Sequence, residues 1–186
     1  QLLQAQVEPH FLFNTLANVQ HLIETDAPKA SQMLGSPIRY LRAALPRMRE
    51  QATTLAREIE MVRAYLEIQR VRMSDRLRFD IEVPDALLSV AMPPMMLISL
   101  VENAVKHGID PLPEGGHIRV TAASTPIGMR VSVIDTGAGL SEHMGIGIGL
   151  GNIRERLATL YGSAARLDLT ENPPRGVSAA IEIPAA

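Results

Sequence analysis

Apolar residues recur at steps of three and four near the start of the chain. Leu3, Val7 and Phe11 form one strip with Asn14 and Asn18, and Leu12, Leu16, Val19 and Ile23 lie alongside. That spacing predicts a helix from residue 2 to about residue 25. Pro9 interrupts it; an interior proline lacks a backbone donor, so a kink is expected just before His10. Asp26-Ala27-Pro28 pairs an N-cap residue with a proline in the first turn, so a second helix is expected from there to about Leu45, where Pro46 stops it. So tight a connection predicts an antiparallel helical hairpin. After a polar loop over 46–53, Thr54 is read as the cap of a third helix, with Arg57 and Glu58 in its first turns, running through Ile59, Val62 and Leu66 to about Met73.

From Leu77 the period changes to two. Leu77, Phe79, Ile81 and Val83 alternate with Arg78, Asp80 and Glu82, which predicts a strand ended by Pro84-Asp85. Another short strand is expected near 87–91. Met95 to Gly108 then returns to helical spacing, with Met96, Leu97, Leu100, Val101, Ala104 and Val105 on a buried face and Ser99, Asn103 and Lys106 on another. Gly108 is expected to close this helix in the left-handed conformation. Strands are predicted over Ile118–Ala122, Met129–Ile134, Ala165–Glu171 and Gly176–Ile183, and a helix from about Gly149 to Tyr161. The layout is α+β: a helical region over 1–53, then a unit over 54–186 whose core begins near residue 76 after the helix 54–73.

Composition narrows the function. The net charge of −2 lacks the basic excess expected of nucleic-acid binding. With no cysteine, disulfides and thiolate metal sites are excluded. His21, His117 and His143 are scattered without ligand spacing and are read as structural or exposed. The most apolar run, Ala86 to Val101, contains Pro93-Pro94 and falls short of the roughly 20 residues that a membrane span needs. The chain opens in a helical pattern without an initiator methionine, so it is read as a fragment with any sensor or membrane region upstream.

Three stretches carry candidate chemistry. The helix ending Glu102-Asn103-Ala104-Val105-Lys106-His107-Gly108 holds an amide and an ammonium suited to an anion and its metal ion. Asp135-Thr136-Gly137-Ala138-Gly139 follows a strand directly; its carboxylate can receive an exocyclic amine while the glycines let backbone approach a ring. Gly145 to Asn152 leads into a helix whose free N–H groups suit phosphate. Each pattern alone is also an ordinary core helix, a strand-end turn or a glycine loop. A Walker loop and a dinucleotide fold are both excluded, because the Lys-Ser/Thr and the βαβ start are missing.

In this order, the three stretches resemble the N, G1 and G2 boxes of the GHKL ATP-binding superfamily. Gln6-Val7-Glu8-Pro9-His10-Phe11-Leu12-Phe13-Asn14, Tyr65-Leu66-Glu67-Ile68-Gln69-Arg70 and Gly149-Leu150-Gly151-Asn152-Ile153-Arg154 further resemble signatures of the LytS/YehU-type sensor histidine kinases. The resemblance implies a Bergerat-type α/β sandwich that binds ATP, preceded by a hairpin for dimerisation and phosphate acceptance. It implies His10 as phosphoacceptor, Asn103 as ligand of Mg2+, and Lys106 and His107 as phosphate partners. Asp135 would fix adenine, while Gly137, Gly139, Gly147 and Gly149, with Leu150 and Asn152, would shape the pocket. Asn14, one turn beyond His10, is read as orienting the ring or placing a water. Glu8 is a candidate base, although Phe11 stands where many histidine kinases carry an acid. The implied partners are a second copy of the chain and a response-regulator receiver domain, with no nucleic acid. The implied location is cytoplasmic, with membrane contact only through an upstream region of a plasma-membrane sensor.

Two departures bear on that reading. Only Leu140 to Ile146 separate the two glycine boxes, so the lid over the nucleotide is short. Ser99 stands four residues before Asn103, where ATP hydrolases of the gyrase and MutL kind carry a catalytic Glu. A hydrolase and a non-catalytic adaptor that keeps the fold are the rival readings.

Overall fold

A computed structural model describes residues 9–28, 30, 31, 34, 38, 52–139 and 148–185. The first helix, α1 (Pro9–Thr25), starts at the residue where the sequence predicts a kink; the segment before it lies outside the described residues. The Asp26 carbonyl accepts from Ala30 N–H at 2.9 Å, as an N-cap carbonyl does, and the described positions from Ala27 to Ile38 are helical. The rest of the expected second helix lies outside the described residues.

The sheet has the order β2-β4-β5-β7-β6. Its strands are β2 (Leu77–Glu82), β4 (Gly116–Thr125), β5 (Gly128–Asp135), β6 (Arg166–Glu171) and β7 (Val177–Pro184). β2 and β4 are parallel and the other pairs antiparallel, so the sheet is mixed. Period two sends Ile118 and Val120 of β4, Met129, Val131 and Val133 of β5, and Ile181 and Ile183 of β7 into one buried face. The same alternation sends Asp135 inward, onto the side covered by helices. On the opposite face Glu182 lies across from both Arg130 and Arg166, and pairs with them at 3.3 and 2.6 Å.

Helices α2 (Leu55–Met73), α3 (Met96–Asn103) and α4 (Ile148–Tyr161) cover the inner face. Packed against α2 on one side and α4 on the other, α3 also rests on β5. Its Met96, Leu97, Ile98, Leu100 and Val101 are all buried. Each such side chain contributes roughly 1.5–3 kcal/mol by leaving water, which anchors this short helix between its two neighbours.

The start of α3 needs help that its own sequence lacks. Pro93-Pro94 cannot donate, and Met95 at the N-cap offers no side-chain acceptor. Met95 is also left-handed, at φ 67°, which costs a non-glycine residue about 1–2 kcal/mol. Fully buried Glu58, reaching across from α2, supplies the missing oxygens: Oε1 accepts from Met95 N–H at 3.0 Å and Oε2 from Leu97 N–H at 3.2 Å. From the other side Arg156 of α4 donates to the Pro94 carbonyl at 2.9 Å.

Two expectations are corrected. The strand foreseen near 87–91 is a 3-10 turn over Asp85–Leu87 followed by the short β3 (Ala91–Met92). β3 pairs antiparallel with β1 (Thr53–Thr54), a segment assigned to loop and cap. Thr54 does cap α2 as expected, accepting from Arg57 N–H at 3.4 Å. The second correction concerns Gly108, which is not a left-handed cap. After Asn103 the helix widens into a π turn over Ala104–Ile109, and Gly108 sits inside it. Its missing side chain serves contact with Asp135 rather than helix termination.

Replacing Glu58 by Gln removes the charge and leaves one of the two N–H groups facing an amide NH2. Glu58→Gln is expected to lower unfolding stability by about 2 kcal/mol, shifting the urea midpoint with little change of slope. A midpoint equal to that of the parent protein would show that α3 does not need this carboxylate.

Candidate active site

Asp135 ends β5 and is 3% exposed. Its Oδ1 accepts from Gly137 N–H at 2.8 Å and from Val177 N–H at 3.3 Å. Among the described residues no hydrogen bond falls on Oδ2. Burial pushes the Asp135 pKa above the ordinary 3.8, and the bonds from Gly137 and Val177 oppose that rise. The result is a carboxylate fixed through Oδ1, with Oδ2 taking no hydrogen bond among the described residues.

Backbone fills the space around it. A Cβ on Gly108 would lie 2.9 Å from Asp135 Oδ1, and a Cβ on Gly137 would lie 2.4 Å from the Gly108 backbone. Ala138 N–H donates to the Gly108 carbonyl at 3.0 Å, so the loop after β5 is sewn to the end of α3. Such contact forbids side chains at both glycines. The π turn places Gly108 and Ile109 inward and leaves Lys106 and His107 exposed. π turns of this kind occur mostly as single insertions, frequently at functional sites.

Asn103 is half-buried at the other end of the same turn. A Cβ on Gly149 would lie 3.4 Å from its Nδ2, so the first turn of α4 packs directly against this amide. Helix starts carry unpaired N–H groups and partial positive charge, which suit phosphate. Beside them a cleft of about 620 Å3 opens between α3 and α4, lined by residues that include Ser99, Glu102, Gly149, Asn152 and Arg156. Among the described residues no group of three His, Asp or Glu could hold a metal ion. The Asn103 amide oxygen is a hard donor of the kind Mg2+ takes, beside the water and phosphate oxygens that usually complete its shell.

The predicted residues fall into two clusters joined by the π turn that follows α3. Gly108, Asp135 and Gly137 meet at its end, and Asn103 meets Gly149 at its start, with Asn152 lining the cleft beside them. Gly139 follows the first cluster, and Leu150 packs on the core beside the second. His10 and Asn14 are on α1, one turn apart; their side chains, with Glu8, Gly147 and the lid from Leu140, lie outside the described residues. So does His143. His21 is exposed, and His117 pairs with Asp80 at 2.7 Å on the outer face of the sheet.

Sequence reasoning missed Glu58, Asn172 and Val177. Glu58 looked like a first-turn acid of its own helix. Asn172-Pro173-Pro174 looked like a plain turn, yet Asn172 Nδ2 donates to the Asp135 carbonyl at 2.8 Å. Both contacts span about 37 residues of sequence, where no local pattern signals them.

Comparison with known proteins accords with this geometry. Residues 1–77 match the family described as histidine kinase. Residues 94–186, half of the chain, match the family described as histidine kinase-, DNA gyrase B- and HSP90-like ATPase. The sensor protein LytS of Oceanobacillus iheyensis is 34% identical over 94% of this chain and 32% of its own length. The chain thus spans about a third of the curated relatives it matches. The histidine kinase domain of a blue-light-activated kinase from Erythrobacter litoralis superposes with a TM-score of 0.57 at 18% identity, covering 92% of this chain and 91% of that one. The histidine kinase ThkA, solved in complex with the response regulator TrrA, superposes with a TM-score of 0.55 at 22% identity, covering 95% and 59%. These two likenesses concern the fold. The ATPase-type family model covers half of the chain and LytS proteins align along nearly all of it, so the chain belongs to the LytS-type sensor histidine kinases of the GHKL superfamily.

Proposed function

We propose that this chain binds Mg-ATP between α3, the loop after β5 and the start of α4, and phosphorylates His10. The observation that carries the reading is the half-satisfied Asp135 carboxylate: Oδ1 is held by two backbone donors and Oδ2 is left to accept the amine of adenine. Glycines 108, 137 and 139 let the ring approach backbone. Asn103 would hold Mg2+, Gly147 and Gly149 would leave room for phosphate ahead of α4, and Leu150 and Asn152 would border the pocket. Exposed Lys106 and His107 offset phosphate charge. The bound Mg2+ supplies charge neutralisation on the phosphate oxygens.

Phosphoryl transfer asks mainly for in-line placement and electrostatic support. A neutral imidazole nitrogen of His10 attacks the γ-phosphorus; a P–N bond forms as the P–O bond to ADP breaks, and ADP leaves with the electron pair. Asn14 orients the ring, and Glu8 or solvent takes the imidazole proton. A receiver-domain aspartate then attacks the phosphorus, forming a P–O bond as the P–N bond breaks. ThkA, solved with its response regulator, supports that class of partner. Leu16, Ile23, Leu34 and Ile38 are exposed on the helical region, which supports pairing of residues 1–53 with a second copy while 54–186 bind nucleotide. No helix among the described residues is long and apolar enough to cross a membrane. In this reading the chain is the cytoplasmic part of a sensor anchored upstream. The hydrolase alternative is disfavoured because Ser99 Oγ donates to its own helix, to the Met95 carbonyl at 2.8 Å, and offers no carboxylate base.

Three measurements test the reading. Incubation with γ-labelled ATP is expected to leave acid-labile, base-stable label on the protein; His10→Gln abolishes it while ATP still binds, and label retained in that variant would refute the acceptor. Asn103→Ala is expected to weaken nucleotide binding in Mg2+ by about tenfold in calorimetry, and an unchanged affinity would place the metal elsewhere. The third is the preference for ADP over inosine diphosphate, whose phosphates titrate alike. Adenine donates to ionised Oδ2, whereas the inosine oxygen only accepts, so protonating Asp135 removes the preference. Because burial raises this pKa, the preference narrows as pH falls, beginning above the ordinary carboxylate range. A preference for ADP no smaller on the acid side of the Asp135 titration, followed on its carboxyl resonance, than on the alkaline side would contradict the assignment.

A further inference from the structure

The turn between β6 and β7 is seated on the back of Asp135. Asn172 Nδ2 donates to the Asp135 backbone carbonyl at 2.8 Å, and Val177, at the far end of the turn, donates its N–H to Oδ1 at 3.3 Å. The turn closes on itself through Asn172 N–H to the Gly176 carbonyl, at 3.0 Å. Gly176 is pressed so closely that a Cβ there would lie 2.0 Å from the Asp135 carbonyl oxygen, and its φ of +134° suits glycine alone. Arg175 ties the same turn to Glu114 at 2.9 Å, just ahead of β4. That outer pair is exposed on both sides and contributes little by itself.

The carbonyl of Asp135 lies where the ladder ends, and on the β4 side the N–H of the same peptide, from Thr136, donates to the His117 carbonyl at 3.1 Å. β4 pairing at this end stops at Ile118 opposite Asp135, and β7 pairing stops at Ser178 opposite Ile134. The last peptide of β5 therefore has no partner strand on the β7 side, and the Asn172 amide stands in for one. Fixing that peptide fixes the direction of the Cα–Cβ bond, and with it the placement of Oδ2.

We propose that Asn172 is a positioning residue for base recognition: its amide locks the Asp135 peptide so that the free carboxylate oxygen distinguishes an amino from an oxo group on a purine. The inference rests on the assignment of Asp135 to adenine. Loss of the amide lets the carboxylate swing, and affinity for the amino-purine falls while phosphate contacts, which involve α3 and α4, persist.

The test is the affinity of the chain for ADP and for inosine diphosphate in Mg2+, with thermal unfolding measured alongside. Asn172→Ala is expected to reduce the ADP preference about fivefold, mainly through weaker ADP binding. Asn172→Asp, of the same shape but without the donor, reduces it at least as far, whereas Asn172→Ser, which keeps a shorter donor, retains part of it. A purely structural role would lower the unfolding temperature and weaken both nucleotides alike, leaving their ratio intact; that result overturns the proposal. A parental preference kept by Asn172→Asp overturns it as well, because shape would then suffice. Asp135→Asn separates the two levels of the argument. If the parent prefers ADP and only Asp135→Asn loses the preference, Asn172 is not involved and the nucleotide site stands. If the parent shows no preference for ADP, the adenine assignment fails and the role of Asn172 fails with it.

Discussion

The site depends on a backbone-to-backbone contact that no side chain could share: the end of α3 against the loop that leaves β5. Gly108 and Gly137 meet there without Cβ atoms, and the Asp135 carboxylate is wedged beside them. A carboxylate this buried tends to be protonated, since a lone charge in a low-dielectric interior is costly. Two backbone donors on Oδ1 offset part of that cost and fix the direction of the other oxygen. The same contact locks the loop against the π turn that follows α3, and that turn joins the two clusters of the site.

The helix that leads into this turn, α3, is held at its start by a second buried carboxylate. Glu58 caps α3 from α2, while Arg156 of α4 takes the carbonyl just before it. Neither end of α3 is therefore set by its own sequence. The arrangement suits chemistry that needs placement more than reactivity. Asn103 and Gly108 bracket one π turn, so whatever binds at these two points is held at a constant separation.

Much of this was legible in the residues. Period-two alternation in β5 put Asp135 on the same face as Val131 and Val133, and helical spacing in α3 put Asn103 beside Ser99 on a partly exposed face. Both followed from local geometry. The misreadings share one cause: they required knowledge of which distant segment arrives. Gly108 resembled a helix cap because a terminal glycine usually serves as one, and only the approach of β5 explains it. Thr53 looked like loop and Thr54 like a cap alone, since two residues form a strand only when Ala91-Met92 lies beside them. Glu58 and Asn172 each look like ordinary polar residues of their own element, and each acts about 37 positions away.

A crystal structure with Mg2+ and a non-hydrolysable ATP analogue tests the central claim most directly. The account predicts the adenine amine within hydrogen-bond distance of Asp135 Oδ2, with the triphosphate running past Asn103 to the first turn of α4. A purine bound away from Asp135, or a triphosphate that bypasses Asn103, would contradict it.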